Sequence, residues 1–166
     1  MAVATWRPLY LAADHLINQV CKQLYFGSGA FRSNTDDEPG LPDILAKQRF
    51  LADYAPILDI IANHAQSRTA HNLIELLAYL VEGDPPAVFD RTANILLGSA
   101  ARDGYQFESL GVDKLVKLVR RYLADHRDIF EDRDRRQKLV EVLELFSSVG
   151  WPDALKLLFE LPDLLR

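Results

Sequence analysis

Apolar residues, most of them leucine, recur three and four positions apart along almost the whole chain. That spacing places them on one side of a helix. The first stretch runs from about Trp6 to Tyr25, with Leu9, Ala13, Leu16, Ile17, Val20, Cys21 and Leu24 in one stripe. Thr5 can cap it, Pro8 sits in its first turn, and Gly27 and Gly29 end it. A second stretch opens at Pro42 and reaches about Ala65 on Ile44, Leu45, Phe50, Leu51, Tyr54, Ile57, Leu58 and Ile61. Pro56 lies inside it. Its missing N–H and its ring clash with the preceding turn predict a kink or break near Asp53 to Ala55.

A third helix is expected from about Ala70 to Glu82, capped by Ser67 or Thr69, with Leu73, Leu76, Leu77 and Leu80 inward. The fourth runs from about Pro86 to Ala101 on Val88, Phe89, Ala93, Leu96, Leu97 and Ala100. The fifth starts between Glu108 and Val112 and reaches Phe130, striped by Leu115, Leu118, Val119, Tyr122 and Leu123. The sixth covers Arg133 to Ser148 on Leu139, Val142, Leu143 and Phe146, and Gly150 closes it. A short last helix opens at Trp151 and Pro152, runs through Ala154, Leu155, Leu158 and Phe159, and is interrupted at Pro162.

No segment alternates with the period of two that a half-buried strand requires. The expected fold is therefore all-α, with six to eight helices in a single domain over residues 1–166. Most connections are short. The exception is GSGAFRSNTDDEPGL at 27–41, with three Gly, one Pro and the acidic triplet Asp36, Asp37 and Glu38, long enough to read as an extended loop.

A weak internal repeat runs through this pattern. Tyr79-Leu80 and Tyr122-Leu123 stand 43 residues apart, and the same offset pairs Leu73 with Val116, Leu76 with Val119, Leu96 with Leu139, and Leu97 with Val140. Tyr10-Leu11-Ala12 and Phe50-Leu51-Ala52 are similarly related at 40 residues. Periods near 40–47 belong to helical-pair arrays, in which stacking buries faces that one pair cannot cover alone. Two architectures fit, a short HEAT-like array or an irregular helical bundle.

The stretches GYQFESLGVDKLVKLVRRYLADHRDIF (104–130) and EVLELFSSVGWPDALKLLFEL (141–161) resemble the C-terminal helical-repeat segments of large bacterial multidomain proteins. In layout they are similar to HEAT-like modules. The resemblance implies a superhelical interaction or regulatory module, of a protein whose catalytic domain lies elsewhere. It implies no functional residue.

Composition narrows the function classes. The 166 residues are 49% hydrophobic with a formal net charge of −5, which fits a packed globular chain and not a disordered one. One cysteine excludes an intrachain disulfide. The N-terminus lacks the apolar core of a signal peptide, and no run of ~18 apolar residues occurs. The expected location is cytoplasmic, away from the membrane. Residues 1–113 carry 8 basic and 14 acidic side chains, whereas residues 114–166 carry 11 and 10. The overall acidity argues against a dedicated nucleic-acid binder.

Candidate chemistry is sparse. His71 and Glu75 share a helix face at i and i+4, and His64 ends the preceding helix, so the three could serve a metal protein or a helical-bundle enzyme. No HExxH or Cys/His spacing supports that reading. Asp14-His15 and Asp125-His126 are sequence neighbours pointing about 100° apart on a helix, so neither forms a relay. Gly27-Ser28-Gly29 lacks the Lys-Ser/Thr ending and the preceding strand of a phosphate loop. Cys21 reads as a small core residue. Lys114, Lys117 and Arg121 share one face, and the segment 114–138 holds 9 basic and 5 acidic residues. The interleaved charges describe a solvated, ion-paired face, with weak nucleic-acid contact through 114–121 as the alternative. Tyr105, Phe107 and Trp151 stand in turns before helices, either stapling them to the core or exposed as interface anchors.

The expectation is a non-enzymatic helical-repeat module without cofactor or metal. Its partner is another protein or another domain of a larger chain, and the candidate surface is Lys114, Lys117, Arg121, Tyr105, Phe107 and Trp151.

Overall fold

The computed structural model describes residues 3–32, 41–64, 67–98 and 112–166. Every regular element among them is helical. The fold is all-α, and no helix among the described residues is long and apolar enough to cross a membrane. The chain divides between Gly83 and Asp84 into two compact units.

The N-terminal unit holds α1 (Val3–Ser28), a 3-10 turn (Ala30–Arg32), α2 (Leu41–His64), α3 (Ser67–Leu80) and a second 3-10 turn (Val81–Gly83). Each helix packs on the other two. Cys21 on α1 lies beside Thr69 near the start of α3, and Gly29 beyond α1 lies beside Tyr79 near its end, so α1 and α3 run parallel. Lys47 near the start of α2 meets Glu82 just past α3, so α2 runs antiparallel to α3. Leu73, Leu76, Leu77 and Leu80 of α3 are fully buried, with Cys21 and Leu24 of α1 and Leu51, Leu58 and Ile61 of α2.

Several boundaries differ from expectation for local reasons. Helix α1 continues through Gly27 and stops at Gly29, whose φ of 87° is a conformation side chains resist. The expected loop therefore loses residues 27–32 to helix and turn, and its acidic triplet lies outside the described residues. Helix α2 is unbroken across Pro56. Pro56 is exposed and so is Ala52, whose carbonyl loses its usual partner, so water can take the place of the missing N–H. Helix α3 starts at Ser67, which puts Thr69 inside the first turn instead of at the cap.

Gly83 sets how closely the turn approaches α2. A β-carbon there would lie 2.9 Å from the Lys47 carbonyl carbon and 3.0 Å from the Gln48 nitrogen. Both are backbone atoms with no freedom to move aside.

The C-terminal unit holds α4 (Pro85–Leu97), α5 (Val112–Asp125), a 3-10 turn (Arg127–Glu131), α6 (Arg133–Ser148) and α7 (Pro152–Leu164). Asp84 caps α4, its Oδ1 accepting the Ala87 N–H at 3.1 Å, and Asp132 caps α6 through the Arg135 N–H at 2.9 Å. Helix α6 packs on α4 and α7. Phe89, Tyr122 and Phe130 meet edge to face, with ring centroids 5.0 to 6.4 Å apart. They tie α4, α5 and the 127–131 turn into one core. Helix α7 includes Pro162. It buries Ala154, Leu157 and Leu161 and leaves Leu155 and Phe159 exposed.

Candidate interaction surface

The candidate anchors divide three ways. Tyr105 and Phe107 lie outside the described residues, as does the side chain of Lys114. Trp151 is a correction to the exposed-anchor reading: it is only 8% exposed. Its ring lies 4.5 Å from that of Phe146, and its backbone N–H donates to the Phe146 carbonyl at 3.1 Å. The tight reversal between α6 and α7 turns the indole inward. Lys117 is exposed and Arg121 half-buried on the outer side of α5.

Much of the basic charge beyond α5 is used inside the unit. Arg135 grips Asp90 through Nε and Nη2 at 3.0 to 3.3 Å. Lys138 lies 3.7 Å from the same carboxylate, and Arg136 Nε donates to the Phe130 carbonyl at 3.0 Å. These contacts hold α6 to α4 and to the 127–131 turn, and they reduce the basic face available to phosphate.

The histidine cluster does not assemble. His71 Nε2 lies 3.6 Å from Glu75 Oε1, and the Tyr25 hydroxyl also bonds Glu75 from α1. Burial, then the Glu75 charge and that bond, pushes the Tyr25 phenol up. Among the described residues no three His, Cys, Asp or Glu side chains group to hold a metal ion. His64 is exposed at the end of α2 and does not join the pair. His15 is exposed, while Asp14 Oδ1 beside it is buried. His126 lies against Tyr122 at 6.0 Å, and burial lowers its pKa. Cys21 is fully buried with its thiol toward the Thr69 carbonyl at 3.7 Å, and burial pushes its pKa up to about 12. A thiol so far from ionisation is no nucleophile.

The feature that stands out is α2, which is apolar on two sides. Its inner side is Leu51, Leu58 and Ile61. Lys47, only 6% exposed, also lies there. Its Nζ is 2.9 Å from Asp43 and 3.2 Å from Glu82, and 4.4 Å from the centroid of the Tyr79 ring. That cluster clamps α2 to the end of α3. Burial, then the Asp43 charge, pushes the Tyr79 phenol up.

The outer side carries Leu45 at 55% exposure, Ile60 at 57% and exposed Ile57, with Tyr54 exposed on the flank between the two sides. Pro42, Ala46 and half-buried Phe50 join them, with exposed Arg49 and Asp53 in the middle. Pro42, Leu45, Ala46, Arg49, Phe50, Asp53 and Tyr54 line one open depression. The sequence pattern contains this second face, yet reading all eight apolar residues as one stripe hides it. Leu45 and Leu51 are six residues apart, so they point about 120° apart on a helix. Leu16 is likewise outside, on α1. Comparison with protein families, curated proteins and solved structures found no match to this chain.

Proposed function

We propose that this chain is a non-enzymatic helical-repeat module that binds another protein. The observation that carries the reading is the outer face of α2. A helix that satisfies its own core on one side has no packing need for Leu45, Ile57 and Ile60 on the other, and clustered apolar residues in water mark binding surfaces.

The repeat architecture rests on softer support. Pairs at the 43-residue offset are buried alike, Leu73 with Val116, Leu76 with Val119 and Leu96 with Leu139. Tyr79 and Tyr122 differ, half-buried against fully buried. Both copies place a 3-10 turn between their helices, but the second is longer, and the residue matching Pro85 is Asp128, five positions before α6 begins. HEAT-like stacking with these departures is our reading, together with a scaffolding role in the cytoplasm.

The test places a photo-crosslinking residue at position 60 of the full chain in native lysate. One predominant protein adduct, lost in an Ile57→Asp variant that remains helical, supports the reading. No adduct, or adducts unchanged by Ile57→Asp, overturns it.

A further inference from the structure

The charges on the outer face of α2 suggest what covers it. Arg49 and Asp53 stand four residues apart, both exposed, at the middle of the apolar face. Within one helix this order, basic residue first, is the poorer arrangement for an i, i+4 pair. Across two helices it is self-complementary. The geometry points to a second copy of this chain as the occupant, docked α2 against α2 in antiparallel fashion about a two-fold axis beside residue 51. This deepens the proposed function and rests on it.

A two-fold interface brings the same patch together from both copies, so each contact occurs twice. With the axis beside residue 51, Arg49 faces the other copy's Asp53. On the same register Pro42 faces Ile60, and Ile57 comes within one residue of facing Ala46. The Phe50 rings meet each other near the axis. Counting about 100° per residue, Pro42, Ala46, Arg49, Asp53, Ile57 and Ile60 fall within one strip of α2, which is what a helix-on-helix seam needs. The charged pairs sit in the middle, where a parallel or shifted pairing would set Arg49 on Arg49 or strand both charges among apolar residues. Charge therefore fixes register as well as partner. The seam from Pro42 to Ile60 is about 27 Å long. One helix pair of that length is a small interface, so the association is expected at about micromolar strength or weaker.

The test is sedimentation of the full chain from about micromolar to about millimolar concentration, for the native protein, Arg49→Asp, Asp53→Arg and an equal mixture of the two. Both substitutions are on an exposed helix face, and circular dichroism checks that helicity is kept. The expected result is a reversible monomer–dimer equilibrium in the native protein. Each variant alone is weakened about tenfold or more by facing like charges. The mixture recovers native strength or better, because one helix is then acidic and the other basic. Self-association that the mixture fails to recover overturns this pairing. A native chain that stays monomeric throughout overturns the second copy as occupant, and the adduct at position 60 then reports separately whether a different protein uses the face.

Discussion

Helices α2 and α5 hold similar apolar content but use it in opposite ways. In α5, Leu115, Val116, Leu118, Val119, Tyr122 and Leu123 are all buried, and the outer side is Lys117, Arg120 and Arg121. In α2 the buried set is smaller and includes a lysine, while four large apolar side chains face water. The contrast extends to the units. Among the described residues, the N-terminal unit exposes Leu16, Phe26, Phe31, Leu45, Tyr54, Ile57 and Ile60, and the C-terminal unit only Val149, Leu155 and Phe159. A helix shaped only by folding resembles α5. The excess on α2 asks for a second purpose.

The comparison breaks most sharply at the aromatic core of the C-terminal unit. Phe130→Ala removes a fully buried ring shared with Phe89 and Tyr122, and is expected to cost about 3–5 kcal/mol. Trp151 fluorescence in a Trp6→Phe background should follow the loss during urea unfolding. A cost below about 1 kcal/mol would mean that this core is looser than its packing indicates.

In the N-terminal unit the matching weak point is charged. Lys47→Ala leaves Asp43 and Glu82 without their shared cation, and is expected to destabilise by about 2–3 kcal/mol, since Asp43 is partly solvated. Chemical denaturation of Lys47→Ala beside Lys47→Met separates lost charge from lost packing. Close behind comes Gly83→Ala, whose β-carbon would press on the α2 backbone and cost about 1–3 kcal/mol. A neutral outcome would remove the claim that the 81–83 turn is seated against Lys47 and Gln48.

Cys21 gives an effect that is absent at neutral pH and appears only in alkali. Its folded pKa of about 12 lies above the ordinary value of 9.0. The unfolded chain therefore loses the thiol proton first as pH rises. The stabilisation is complete below pH 9 and declines as pH rises from roughly 9 towards 12. Cys21→Ala should show a shallower decline over that range. Thiol labelling at pH 8 should proceed only as fast as the N-terminal unit opens.

The residues that the sequence made legible are those whose spacing leaves one solution. Helix α6 falls on Arg133 to Ser148 as expected, because Asp132 and Gly150 bracket a single stripe. The inward set of α3 is likewise the one observed. Spacing misled where apolar residues surround the helix. On α7 five of the residues from Ala154 to Phe159 are apolar, and spacing alone does not single out Leu157, which fills the core with Leu161. On α2, Leu45, Tyr54 and Ile57 were grouped with Leu51 and Leu58. Basic residues also misled as a surface, since Arg135 and Lys138 converge on Asp90 from 45 and 48 positions away, a pairing no local pattern announces.

On the proposed reading, the outer face of α2 is open in the folded chain and held for a partner. The most direct measurement is the unfolding free energy of the double variant Ile57→Asp/Ile60→Asp, in dilute solution where any self-association is absent. Two carboxylates on a water-facing helix side should leave stability within about 1 kcal/mol of native, near the cost of surface changes and helix propensity. A loss of several kcal/mol, the penalty for burying unpaired charge, would show that the face belongs to the core and contradict the account.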